Sequence, residues 1–158
     1  MIQLREALVS DILTIAAAPS EQTESELRKM GLTPWQATKW FREWIAKGDA
    51  VTVVDGETPI AVFGHIKHGD NKDRRLTWFL AAPAYFNLGM RGIRTTRKYL
   101  DSVMSWWPGV VFESHSGSDH SATARWFSLL GYRFERHNEM GWPVFVIGPA
   151  GQAQSQSA

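Results

Sequence analysis

The segment from Arg75 to Ser116 constrains this chain most. RLTWFLAA (75–82) carries Thr, Trp and Phe in an apolar run and reads as a strand. PAYFNLGMRG (83–92) is a Gly-containing turn, and a long helix follows from about Gly89 to Trp107 until Pro108-Gly109 stops it. VVFESHS (110–116) is the next strand. Strand, long helix and strand in immediate succession commit the chain to a mixed α/β domain around a central sheet.

The flanking segments extend that pattern. IQLREA (2–7) alternates as a short strand. Ser10 is placed to cap a helix, DILTIAAA, whose Ile12, Ile15 and Ala16 share a face, and Pro19 ends it. SEQTESELRKMG (20–31) is polar, with room for a helical turn before Gly31. Thr33-Pro34-Trp35-Gln36 combines a cap, an N1 proline and a capping-box glutamine. The helix it opens reaches Lys47, and its Trp40, Phe41, Trp44 and Ile45 are expected in the core. AVTVV, the Asp55-Gly56 turn and PIAVFGHIKH form a hairpin, followed by a polar loop, HGDNKDRR (68–75). SDHSATARWFSLLG is a helix; YRFERHNEM and WPVFVIG pair antiparallel around Gly141. The order is β-α-α-β-β-β-α-β-α-β-β: one domain over residues 1–149 and a low-complexity tail over 150–158.

Composition removes several classes of function. A net charge of +1 gives no global attraction to nucleic acid or anionic membrane. The absence of cysteine excludes a disulfide scaffold and a thiolate nucleophile, and suits a reducing cytoplasm. No apolar run reaches the ~18 residues of a membrane span. His65, His68, His115, His120 and His137 lack ligand spacing, so no metal is expected.

Two motifs carry a family resemblance. Pro83, Tyr85, Phe86, Gly89 and Arg91 occupy the places of an acyl-CoA motif that runs Pro, Tyr, Arg or Gln, Gly, then Gly or Ala. His120 to Tyr132, HSATARWFSLLGY, matches N-x-x-A-x-x-L-Y-x-x-x-G-F without a gap. Together with the element order, these make residues 2–148 resemble the GNAT superfamily of N-acetyltransferases. The resemblance implies a GNAT-like mixed central sheet flanked by helices, and an acyl-CoA site at Leu80, Ala82, Gly89, Arg91, Gly92 and His120. The departures fall on chemistry. Arg91 stands where a small residue is usual, Phe86 replaces a donor, His120 replaces the orienting Asn, and Phe127 replaces the Tyr that protonates a thiolate. RLTWFLAA holds no carboxylate, which leaves Glu113, or His115 through a water, as candidate base.

A narrower resemblance is to the small GNAT-like internal virion protein of podovirus-type phages. It implies a degenerate site with no cofactor, a place in the virion, and other virion proteins as partners, with a larger symmetric assembly allowed. The alternative is an acetyl-CoA-dependent N-acyltransferase of the cytoplasm. Arg91, Arg94, Arg97 and Lys98 share one side of the long helix, as an anion-facing stripe or simply a solvated face. Trp35 and one of Trp106 and Trp107 are candidates for an interface. The tail cannot bury apolar area, so it is expected to order only against a partner chain, through Gln152, Gln154 and Gln156.

Overall fold

A computed structural model describes residues 1–149; the tail expectation lies outside them. Seven strands form one sheet in the order β1-β2-β3-β4-β5-β7-β6. They are β1 (Ile2–Glu6), β2 (Asp49–Asp55), β3 (Thr58–His68), β4 (Asn71–Ala81), β5 (Val111–His115), β6 (Arg133–His137) and β7 (Pro143–Ile147). The helices are α1 (Val9–Ala17), α2 (Glu21–Met30), α3 (Pro34–Lys47), α4 (Pro83–Asn87), α5 (Met90–Trp106) and α6 (Thr123–Leu130). This is the mixed α/β architecture that the element order predicts.

Ile60, Ala61, Val62 and Phe63 on β3 are all buried, because helices cover both faces of the sheet. On one face α1, α2 and α3 pack over Val62, Trp78 and Leu80. On the other, α4, α5 and α6 pack over Phe63, Ala81, Phe112 and Phe145. Every pair of neighbouring strands is antiparallel except β4 and β5. Those two are parallel, and their pairing covers only Arg74–Val111, Arg75–Phe112 and Leu76–Glu113. β4 then runs on to Ala81, and β5 to His115, with no ladder between them.

Several local expectations are corrected. Ser10 does not cap α1: Leu8 is its N-cap, and the Asp11 carboxylate accepts from the Leu8 amide at 2.9 Å. Asp11 also binds the Arg5 guanidinium at 2.7 and 2.8 Å and the Thr52 hydroxyl at 2.7 Å, which ties β1, α1 and β2 together. Residues 20–31 are a full helix rather than a turn, capped by Ser20 Oγ, which accepts from the Thr23 amide, and closed by Gly31. The polar segment 68–75 is mostly strand: β3 and β4 form one long hairpin whose charged end extends beyond the core. Thr33 does cap α3, with its hydroxyl accepting from the Gln36 amide and Gln36 Oε1 accepting from the Thr33 amide.

Trp40 is not core; it is 47% exposed. The α3 stripe is narrower than its aromatic content suggests, and Ala37, Thr38 and Phe41 are the residues it buries. Trp44 is half-buried and meets Phe41 edge-on at 5.2 Å and Trp78 at 6.1 Å. Because part of its ring remains wet, Trp44→Ala should cost about 2 kcal/mol, below the ~3–5 kcal/mol of a fully buried Trp. Chemical denaturation checks this; a variant as stable as the parent would show that α3 does not rely on these contacts.

Candidate functional site

The gap between β4 and β5 opens into a cavity of about 300 Å³. Period-two alternation sends Leu76 and Trp78 to the α3 face and Thr77 and Phe79 to the α6 face. All four line the cavity, together with Ser114 and His115 of β5, so it passes through the sheet at the gap. Phe41 and Trp44 wall it on one side; Phe86, Trp126 and Trp142 contribute further aromatic surface. The Trp126 ring packs on Phe79 with centroids 4.4 Å apart.

The free edge of β4 carries unused backbone. Ala82 N–H donates to the Ile60 carbonyl of β3 at 2.9 Å. Ala81 points the other way: its N–H donates to Thr23 Oγ1 at 2.9 Å, and its carbonyl accepts from the Ser20 amide at 2.8 Å. The same alternation turns the N–H and C=O of Phe79 toward the gap. An extended ligand bearing amides can pair with such an edge as an added strand.

Glu113 is fully buried and faces Arg74, His68 and His115. Arg74 Nη1 donates to Oε2 at 2.6 Å, and His115 Nε2 lies 2.8 Å and His68 Nε2 3.1 Å from Oε1. Burial works against its charge. The hydrogen bonds from His115 and Arg74 and the nearby charges of His68 and His115 outweigh it and hold the carboxyl down to about 2. Such a carboxylate is a poor base near neutrality.

His115 is committed too. Asn138 Oδ1 accepts from the Met140 and Trp142 amides, so its Nδ2 faces His115 Nδ1 at 3.0 Å. Nδ1 is therefore the acceptor and Nε2–H the donor to Glu113, and both ring nitrogens are used. The geometry brings the two candidate bases together as hydrogen-bonded neighbours, with Arg74 supplying the ion pair to Glu113.

Glu26, on α2, is the carboxylate that lines the cavity. Burial pushes it up to about 7, with the Ser116 hydroxyl, which donates to Oε1 at 3.1 Å, acting in the opposite direction. A carboxyl near neutrality in an apolar cleft is suited to proton transfer. The sequence reading missed it inside a polar stretch. The available signal was spacing: Thr23 and Leu27 are the buried positions of α2, and Glu26 falls on their side of the helix.

The remaining candidates separate. Gly89 forms the turn between α4 and α5 at φ +56°, and a Cβ there would meet nothing within 4 Å, so its outer face is open. The amides of Leu88, Gly89, Arg91, Gly92 and Ile93 already donate to carbonyls one turn back, because residues 83–87 close into α4. Arg91 is exposed at the first turn of α5. Gly92 is buried where a Cβ would lie 3.2 Å from the Tyr85 carbonyl, so it allows α4 and α5 to approach. Leu80 is core. Ala82 is the N-cap of α4. His120 Nδ1 accepts from the Ala122 amide and Nε2 lies 3.1 Å from Glu21. Phe127 is buried and stacked on Phe145 at 4.4 Å. Among the described residues no group of three or more His, Asp or Glu is arranged to hold a metal, and no helix is long and apolar enough to cross a membrane.

No protein-family model and no curated protein sequence matches the chain. Solved structures do. A GNAT-family protein from Desulfovibrio desulfuricans superposes with a TM-score of 0.71 at 13% identity, over 94% of this chain and 99% of that one. An N-acetyltransferase from Thermoplasma acidophilum in complex with coenzyme A gives 0.65 at 10% identity, over 94% and 99%. An aminoglycoside acetyltransferase in complex with coenzyme A gives 0.65 at 12% identity, over 100% of both chains. The chain has the GNAT fold. Two of these proteins hold coenzyme A, which overturns the expectation of a fold of this kind working without a cofactor. That expectation rested on side chains at 86 and 91, whereas the unpaired β4 edge is a backbone feature and survives both changes.

Proposed function

We propose that this chain is an acyl-CoA-dependent N-acyltransferase. The observation that carries the reading is the parting of β4 from β5 beyond Leu76, which exposes the Phe79 peptide edge to a through-sheet cavity containing Glu26. The Phe79 N–H and C=O would hold the amide-bearing arm of the cofactor. The open turn at Gly89 and the exposed Arg91 and Arg94 would meet its phosphates. With most turn amides bonded internally, that end relies on guanidinium charge more than on backbone donors. Bound acyl-CoA supplies an activated thioester. The aromatic walls exclude water from the gap. Glu26 accepts a proton from the incoming ammonium, while the Glu113 cluster anchors the diverging strands. Phe127 has no proton to give, and the Tyr132 hydroxyl is bonded to Thr77 Oγ1 at 3.0 Å and pushed up to about 12, so neither side chain is suited to act as the acid.

Thermal unfolding with acetyl-CoA tests the reading. Ligand at 100 times its dissociation constant should stabilise the fold by about 2.7 kcal/mol. Arg91→Glu should weaken binding roughly 10-fold, as expected for loss of one charge-assisted contact. No shift at millimolar acetyl-CoA, and no thiol release with a panel of amines, would overturn it. The expectation of a virion role retains one observation in its favour: Trp35 and Trp106 are 61% and 80% exposed, which suits protein contacts.

A further inference from the structure

We infer that the cavity admits a single ammonium group carried on a flat apolar or aromatic body, and that Glu26 is the residue that binds it and takes its proton. The inference rests on the acyl-acceptor reading of the cavity. Its walls include Phe41, Trp44, Trp78, Phe79, Trp126 and Trp142, drawn from both faces of the sheet. An aromatic enclosure takes flat apolar groups by area and attracts a cation through the ring faces. Polycations need several anions. Here the cavity-lining residues include one carboxylate, Glu26.

The other titratable groups at the cavity are His68 of β3 and His115 of β5, both turned toward Glu113. Around Glu26 on α2 and on the facing loop, Glu21 pairs with His120, Lys29 with Asp119, and Glu24 with Arg28. No basic side chain is paired with Glu26 among the described residues; its bond is to the Ser116 hydroxyl. The Glu26 carboxylate is therefore able to pair with one positive charge brought by a ligand. When an ammonium enters, the N–H bond breaks, an O–H bond forms on Glu26, and an ion pair becomes two neutral groups. Desolvation favours that outcome because it penalises both charges.

The experiment is calorimetric titration of the intact chain, without acyl-CoA, using 2-phenylethylamine, 2-phenylethanol and spermidine. Binding of the amine should strengthen as pH rises from 6 to 8. Glu26→Gln should weaken amine binding roughly 10-fold or more at pH 8, because glutamine cannot take the proton of the ammonium, and leave the alcohol unchanged. Spermidine should bind more weakly than the monoamine. Equal binding of amine and alcohol, or a Glu26→Gln variant that still folds and binds the amine unchanged, would overturn the role of Glu26. Should Glu26→Gln not fold, the pH profile of the parent decides: a flat profile overturns it. Failure of both aromatic probes at millimolar concentration would overturn the occupant. The two proposals separate cleanly. Glu26-dependent amine binding without acyl transfer from acetyl-CoA would defeat the acyltransferase reading alone. Acyl transfer to 2-phenylethylamine at the parental rate in Glu26→Gln would defeat the role given to Glu26 in both and leave acyl transfer itself standing.

Discussion

Glu113→Gln is expected to destabilise the fold by about 3–5 kcal/mol at pH 7, the range for removing one partner of a buried ion pair. The reason is what the substitution leaves behind. Arg74 loses one of its two carboxylates and keeps only Glu135, and His68 and His115 face a neutral amide in place of the carboxylate they share. The pH dependence follows from the direction of the shift. The carboxyl is held down to about 2 against an ordinary 4.5, so its contribution is fully present above about pH 4.5 and disappears as pH falls through about 2. The gap between parent and variant should therefore be wide at pH 7 and close toward pH 2. Urea unfolding at several pH values measures it. A gap below about 1 kcal/mol at pH 7 would mean that the cluster is held together by its other members.

Glu26→Gln should act with the opposite sign. Its carboxyl is pushed up to about 7 by burial, against an ordinary 4.5. The protonated form is the one the fold accommodates, so the parent is at its best below about pH 4.5 and loses stability as pH rises through 7. Glutamine carries no charge at any of these values. The variant should match the parent near pH 4 and exceed it by about 1–3 kcal/mol at pH 8, the upper figure corresponding to the whole shift. Unfolding at pH 4 and pH 8 reads the difference. A variant less stable than the parent at pH 8 would show that the charged carboxylate is well satisfied where it stands. Gaining stability by removing a charge marks a residue whose burial is not offset by a cation of the fold itself, as at a binding site.

The order of elements was legible in residue patterns. The Asp55-Gly56 turn, the Thr33–Gln36 capping box and the strand-helix-strand run from 75 to 116 each rest on neighbours in sequence, where turn chemistry and hydrophobic period act locally. Helix α2 was harder: EQTESELRKM is polar because it buries only Thr23 and Leu27, too narrow a stripe for a clear period. Trp40 was misplaced because composition says that a Trp is large and apolar, whereas its exposure depends on how far α3 is rolled over β3 and β4. The sites divide in the same way. Residue identity alone settles that Phe86 and Phe127 lack protons to donate. Whether Glu113 could serve as a base depends on Arg74, His68 and His115, which are distant in sequence and meet only when β3, β4 and β5 assemble. The parting of β4 from β5 belongs to no residue. It is a property of two strands laid side by side, and with it came the Phe79 edge, the through-sheet cavity and the placing of Glu26, since burial and field at a carboxylate are set by everything folded around it.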